Sequence, residues 1–278
     1  VGPQDWAGRL GEALAARVRA LPVAWLWLSG GEAVEAAMKL ARAASGRRGI
    51  VYCAGGYHGT GLGSLSVMGH ARWQRPFQPL LPECHAVPFG DLDALAVRLK
   101  KEDVAGFLVE PIQGEAGVVM PPPGYLIGAQ RLCREHGTMF MLDEVQTGLG
   151  RTGELFAYRG DGLDPDVLIL GKALGGGVLP VSATLTRRDL HQRAYGAMWR
   201  FDLHGSTYAG YALGCAVALA VLQAIDDEDL VAMARARGDA LQAALKQQLG
   251  RHPFVKEVRG RGLLVAVELG PTGRGLVQ

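Results

Sequence analysis

Residues 167–177 read VLILGKALGGG, a run of apolar residues that ends in a glycine, a lysine and a glycine-rich turn. The run Val167–Leu170 is typical of a strand that is buried on both faces. Lys172 lies between this run and the glycines Gly175–Gly177, so we expect its side chain to be confined rather than solvated. Burial and a nearby cation would lower the pKa of this amine, as a nucleophile that forms a Schiff base requires.

Residues 139–148, MFMLDEVQTG, place an acidic residue in a similar position. Asp143 follows a fully apolar run, where a carboxylate can pair with a cation held over the edge of the sheet. This cation could be a protonated ring nitrogen or a metal ion. His and carboxylate partners at metal-ligand spacing are lacking around it, so the sequence favours the ring nitrogen and predicts no metal site.

Two glycine-containing loops also follow apolar runs. In the stretch 28–33, LSGGEA, the N–H groups of Gly30 and Gly31 and the start of a helix can bind an anion. In the stretch 55–59, GGYHG, the ring of Tyr57 can stack on a flat cofactor. A half-buried Tyr-His turn is the simpler explanation of the second loop when it is taken alone.

A fifth loop, residues 109–117 (VEPIQGEAG), carries Glu110 and Glu115 between proline and glycine residues. Together, these loops supply an anion-binding turn, an aromatic ring, a carboxylate at a strand end and a confined lysine. This combination matches the parts of a pyridoxal 5′-phosphate (PLP) site. No single loop carries that conclusion.

Short apolar runs alternate with segments of helical periodicity through most of the chain. This alternation predicts an α/β fold with a mainly parallel sheet covered on both faces, and ligands of such sheets bind at the carboxyl ends of the strands. The predicted strands are residues 24–28, 50–53, 104–109, 138–142, 167–170, 181–185 and 263–268. The predicted helices are residues 32–44, 125–135, 210–225 and 229–249.

The overall composition excludes several classes of protein. Among 278 residues, 29 Lys and Arg nearly balance 27 Asp and Glu, so a nucleic-acid partner is not expected. No apolar run approaches the length of a membrane span, and residues 1–20 lack the pattern of a signal peptide. The four cysteines are far apart and suit reduced core residues. We therefore expect a cytoplasmic protein without a membrane partner.

Four motifs, in order along the chain, resemble the class III aminotransferases, the ornithine and acetylornithine aminotransferase-like PLP enzymes of fold type I. The resemblance covers residues 4–269. Its most specific stretches are 109–124 (VEPIQGEAGVVMPPPG), 142–153 (LDEVQTGLGRTG), 171–177 (GKALGGG) and 204–210 (HGSTYAG).

The resemblance implies a role for individual residues. Lys172 would form the Schiff base and carry the proton, and Asp143 would hold the proton of the pyridine nitrogen. Glu115 matches a gate carboxylate near the substrate, Glu110 matches a more buried position, and His58 would be only a structural neighbour of Tyr57. The other implied cofactor-binding residues are Ser29, Gly30, Gly31, Tyr57, Gln146, Ser206 and Thr207, the last reaching the cofactor phosphate of a neighbouring subunit.

The resemblance also implies the architecture: a three-layer PLP-transferase large domain over residues 1–250 and the start of an incomplete C-terminal small domain over residues 251–278. A shared active site implies a homodimer. Relatives have further segments at both ends, so we expect a fragment or a domain of a larger multidomain protein, with a naturally minimal enzyme as the other option.

The expected activity is transfer of an amino group between an amine or amino acid and a keto acid or aldehyde. Two alternatives remain open at this point. The first is another PLP reaction on the same fold, namely an aminomutase, racemase or decarboxylase. The second is an inactive fragment that binds the cofactor or dimerises.

Overall fold

A seven-stranded sheet lies at the centre of the molecule. The computed structural model describes residues 5–18 and 20–270. The sheet order is β1-β7-β6-β5-β4-β2-β3; β7 is antiparallel to both of its neighbours and the other pairs are parallel. The strands are β1 Val23–Trp27, β2 Gly49–Cys53, β3 Cys84–Val87, β4 Val104–Val109, β5 Met139–Asp143, β6 Val167–Leu170 and β7 Ser182–Thr186.

Helices cover both faces of this sheet, which confirms the predicted α/β layers. They are α1 Asp5–Val18, α2 Gly30–Ser45, α3 Leu62–Leu65, α4 Ala71–Gln74, α5 Leu92–Leu99, α6 Tyr125–Glu135, α7 Ala157–Gly160, α8 Arg188–Tyr195, α9 Ala212–Asp227 and α10 Leu230–Leu249. Short 3₁₀ turns span Arg75–Phe77 and Lys172–Gly175. No helix of the described residues has the length and apolar character that crossing a membrane requires.

The strands separate two apolar cores because successive side chains point to opposite faces. On β5, Phe140 and Leu142 pack with helices α1, α5, α6 and α9, whereas Met139 and Met141 pack with α2 and α8. The inner strands β4, β5 and β6 are buried along their whole length. This two-sided burial explains why they read as continuous apolar runs rather than as alternating patterns.

Helix α2 begins at the site that the glycine pair predicted. The hydroxyl of Ser29 accepts a hydrogen bond from the Glu32 N–H at 3.2 Å, and the Glu32 carboxylate accepts from the Ser29 N–H at 3.1 Å. This reciprocal capping box fixes the first turn. The helix ends at Gly46, whose φ of +72° closes it in the left-handed conformation.

After α10 the chain forms an antiparallel hairpin, β8 Val255–Arg261 and β9 Leu264–Leu269. The predicted strand at 263–268 corresponds to β9. The hairpin matches the expected beginning of a small domain, although the domain boundary itself stays a prediction. Residues 271–278 of that predicted domain, like residues 1–4, lie outside the described part of the chain.

Candidate active site

Five loops at the carboxyl ends of β1, β2, β4, β5 and β6 surround one cavity of ≈ 380 Å³. Its volume lies in the range of small-molecule sites. Eight of the predicted site residues line it: Ser29, Gly30, Gly31, Tyr57, Glu115, Asp143, Gln146 and Lys172. The topology therefore brings together residues that are spread over more than half of the sequence.

The N-terminus of α2 forms one wall of this cavity. Gly30 and Gly31 are the first residues of the helix, so their N–H groups have no acceptor within it. These donors and the positive end of the helix dipole favour an anion. A Cβ on Gly30 would lie 3.0 Å from Val145 Cγ1, a tight contact that glycine avoids where these two loops approach each other.

Asp143 is held at the floor of the cavity by a histidine. Nδ1 of His58 lies 2.7 Å from Oδ2 of Asp143, and both side chains are almost completely buried. The Val145 N–H donates to the other carboxylate oxygen at 3.0 Å. Burial lowers the pKa of His58, but the hydrogen bond and charge of Asp143 outweigh it, with help from Glu110, and the pKa is raised overall. His58 is thus the direct partner of Asp143, a role that its sequence neighbourhood did not reveal.

Glu110 ties the aromatic loop to the loop that carries Glu115. Its carboxylate accepts hydrogen bonds from the Tyr57 N–H at 2.9 Å and from the Gly114 N–H at 3.1 Å. Burial raises the pKa of Glu110 to about 7, against the opposing charge of His58. This confirms its predicted buried position and shows its structural task, which is to set the two loops at a fixed distance.

Lys172 lies in the cavity but is exposed, so the expectation of a confined, buried lysine is wrong. Its side chain is open to solvent at the wall of the cavity. The backbone of Lys172 has φ of +40°, a strained conformation for a residue with a side chain. Such strain is typical of functional positions, where the surrounding structure holds the residue in place.

Glu115 and Gln146 face each other across the mouth of the cavity. Nε2 of Gln146 lies 3.5 Å from Oε1 of Glu115, at the limit of a hydrogen bond, and the glutamate is exposed. A carboxylate in this position remains available to an incoming cation.

Ser206 and Thr207 do not line the cavity of their own chain. The hydroxyl of Ser206 donates to Oε1 of Glu32 in the first turn of α2 at 3.3 Å, and Thr207 is exposed. Both positions suit residues that act on a neighbouring copy, and their role stays a prediction.

Sequence reasoning missed three polar residues of the cavity wall, namely Glu32, Glu35 and Thr60. Glu32 carried a usable signal, because the spacing Ser29-x-x-Glu32 is that of a capping box. Glu35 accepts from the Ser64 N–H at 3.1 Å, a contact between segments 29 residues apart that no local pattern announces. Among the described residues, no group of three or more His, Cys, Asp or Glu side chains is placed to hold a metal ion.

The model of the class-III aminotransferase family matches residues 4–275. The chain belongs to this family. Aminotransferase PigE of Serratia sp. (strain ATCC 39006) is 48% identical over 249 residues, which cover 90% of this chain and 29% of PigE. The chain therefore spans less than a third of this curated relative.

Solved aminotransferase structures share the fold. The ornithine aminotransferase of Toxoplasma gondii is 36% identical with a TM-score of 0.91, covering 98% of this chain and 65% of that one. An amine transaminase from an uncultivated Pseudomonas species in its PLP-bound form is 30% identical with a TM-score of 0.89, covering 98% and 68%. The large domain of a fold type I aminotransferase is confirmed, and family membership identifies PLP as the cofactor.

The residues of this aminotransferase cavity fit the cofactor. Unpaired helix N–H groups at Gly30 and Gly31 suit a phosphate, and a buried carboxylate at Asp143 suits a protonated ring nitrogen. Lys172 is the only lysine or arginine among the described residues that line the cavity, so one amine faces the space left for the cofactor.

Proposed function

We propose that this chain is the catalytic core of an aminotransferase that moves an amino group between an amine or amino acid and a keto acid or aldehyde. One observation carries the proposal: Lys172, Asp143 and the N-terminus of α2 surround a single cavity, together with the ring of Tyr57. An amine, a ring-nitrogen partner and an anion site are the three things that an aminotransferase must place around PLP.

Bound PLP supplies an aldehyde carbon that takes up amino groups and a pyridine ring that accepts electron density. Lys172 would hold the cofactor through Nζ and would then move a proton at the α-carbon of the substrate. The open space around Lys172 gives its side chain room for both positions.

Asp143 would keep a proton on the ring nitrogen, because a carboxylate raises the pKa of a base that it contacts. His58 supports this through its hydrogen bond to Asp143 from the buried side, which fixes the position of the carboxylate. Tyr57 would lie against a ring face, and Gln146 would lie near the phenolic oxygen of the ring.

Ser29, Gly30 and Gly31 would bind the phosphate through the hydroxyl group and the free N–H groups. The proposal includes a homodimer, in which Ser206 and Thr207 reach the phosphate of the second copy. Large apolar side chains are exposed next to them on the same segment, at Met198, Trp199, Phe201 and Tyr208, which supports an interface there.

Three further features belong to the proposal. The four cysteines are free thiols, which supports a reducing, cytoplasmic location. The end of α10 at Leu249 supports a boundary near residue 250 between the large domain and the start of the small one. Coverage of only 29% of PigE supports a place within a larger multidomain protein.

The test uses cofactor-loaded protein and a donor panel of L-alanine, L-ornithine and n-butylamine. A competent donor should remove the absorbance band of the lysine-bound cofactor, and pyruvate should restore it in the same cuvette. Lys172→Ala should lose both the band and the response, whereas Lys246→Ala, on the exposed face of α10, should keep them. Retention of the band in Lys172→Ala would exclude the assigned role of this lysine. Release of CO₂ or racemisation without amino transfer would point to another PLP reaction.

A further inference from the structure

The segment that carries Glu115, residues 113–119, forms a closed loop that we call the gate loop. Gln113 and Val119 exchange two backbone hydrogen bonds, at 3.1 and 2.9 Å, and so pin its ends together. Inside it, the N–H groups of Gly117 and Val118 both donate to the carbonyl of Gly114. Both residues have positive φ, +102° and +55°, and their own carbonyl groups face Arg259.

Those two carbonyls meet one guanidinium group. Nη2 of Arg259 donates to the Gly117 carbonyl at 2.7 Å, and Nε donates to the Val118 carbonyl at 3.0 Å. Only 15% of the Arg259 side chain is exposed. Charged donors in such an environment make the stronger class of hydrogen bond.

The guanidinium also pairs with two carboxylates of the β8–β9 hairpin that carries it. Nη1 of Arg259 pairs with Glu257 of β8 at 2.8 Å and with Glu268 of β9. The carboxylates on one side and the loop carbonyls on the other give each of the three guanidinium nitrogens at least one acceptor. Arg259 is therefore a link between two structural units rather than a solvated surface charge.

The side chain of Glu115 has few contacts of its own. Its contact with Gln146 is long, and its side chain is exposed, so the place of its carboxylate follows from the gate-loop backbone. A loop with freer backbone would spread that carboxylate over many positions, and a substrate would have to order it on binding.

We propose that Arg259 is a positioning residue that anchors the gate loop to the β8–β9 hairpin and so fixes Glu115 at the mouth of the cavity for the cationic amino group of the donor. The anchoring stands on the contacts alone, whereas its effect on the donor rests on the proposed function. Glu115 touches the donor, and Arg259 acts only through the loop.

The chain offers a matched control two residues away. Arg261 lies on the same face of β8 because side chains alternate along a strand. It donates instead to Asp161 at 2.9 Å and to the carbonyl of Ala157 at 3.2 Å, at helix α7. Arg261→Gln removes a half-buried guanidinium from the same strand, one that makes no hydrogen bond to the gate loop.

The first measurement needs no catalysis. Backbone hydrogen exchange is followed in the full, cofactor-loaded chain. In Arg259→Gln the amides of Gly117, Val118 and Val119 should exchange roughly tenfold faster or more, because two charge-assisted bonds are lost. Arg261→Gln should leave these amides unchanged. Unchanged gate-loop exchange in Arg259→Gln, or equal acceleration in both variants, would overturn the anchor.

The second measurement uses the donor of the panel with the highest kcat/KM. Arg259→Gln should raise its KM roughly tenfold with kcat little changed, and should add nothing further to Glu115→Gln. Arg259→Lys keeps the positive charge but not the planar set of guanidinium donors. Its KM should lie between those of wild type and Arg259→Gln. A parallel loss of kcat and of cofactor absorbance would overturn the positioning role. Absence of amino transfer by the wild type would instead refute the proposed function, and hydrogen exchange would still decide the anchor.

Discussion

The hydrogen bond between His58 and Asp143 leads to a prediction about stability. It distinguishes the contribution of the N–H group that His58 offers to Asp143 from the contribution of the packed imidazole ring. Asparagine and leucine have nearly the same shape, but only asparagine can place an N–H where Nδ1 of His58 now lies. His58→Asn and His58→Leu therefore lose the same part of the imidazole ring and differ chiefly in the donor to Asp143. Any difference between them measures this one interaction.

The structure sets the size of that difference. The two side chains are 2.7 Å apart and are 0% and 3% exposed, so water cannot replace a missing donor. A hydrogen bond to a charged group contributes about 1.5–3 kcal/mol, and removing one partner of a buried ion pair costs about 3–5 kcal/mol. Val145 still donates to the second oxygen, which limits the loss. We expect His58→Leu to be about 3 kcal/mol less stable than His58→Asn.

Equilibrium unfolding in denaturant, at pH 6 and pH 9, measures both variants against wild type. The pKa of His58 is raised in the folded state, so its charge stabilises the fold fully below its ordinary value of 6.5. This contribution is lost as the pH rises through the folded-state pKa, and the advantage of wild type over His58→Asn should shrink accordingly. A His58→Leu protein as stable as His58→Asn at both pH values would refute the role given to this hydrogen bond.

Two further predictions concern Glu144 and the dimer. Burial raises the pKa of Glu144 from 4.5 to about 7, despite hydrogen bonds from Thr147 and from the N–H groups of Ala157 and Tyr158. The contribution of this group to the free energy of unfolding is therefore fully present below pH 4.5 and falls by about 3 kcal/mol as the pH rises to 7. Glu144→Gln should abolish this pH dependence, as measured by urea unfolding. Light scattering of the loaded protein should give the mass of two chains, and Thr207→Val should weaken cofactor retention; a monomer that holds the cofactor equally well in both forms would contradict the shared site.

The strength of the apolar pattern decided which elements the sequence could predict. Strands β4 and β6 and helix α6 were predicted to the residue, because they are buried and their neighbours are turns. Strand β3 was missed because it lies at the sheet edge, is only four residues long and is mostly half-buried. Strand β8, VKEVRGR, reads as a charged segment, since its arginines bind partners elsewhere in the chain.

Prediction of the site followed the same division. Asp143 and Lys172 could be found because they lie at or just after the carboxyl end of a buried strand, and parallel topology brings strand ends together. The partner of Asp143 could not be found, because His58 lies 85 residues away and its side chain direction depends on the whole sheet. The exposure of Lys172 was missed because the glycines after it were taken as a wall, whereas the structure opens a cavity there.

Three polar groups whose contacts the sequence did not reveal share one task, which is to join loops from different strands. Glu110 binds the Tyr57 loop to the gate loop, His58 binds that same loop to the end of β5, and Arg259 binds the gate loop to the hairpin. Each tie is buried or half-buried, so breaking it leaves polar groups that water reaches poorly. The residues expected to touch the cofactor and substrate hold their places only while these ties are made. Substitutions at the ties should therefore disturb substrate and cofactor binding even where every residue facing the cavity is intact.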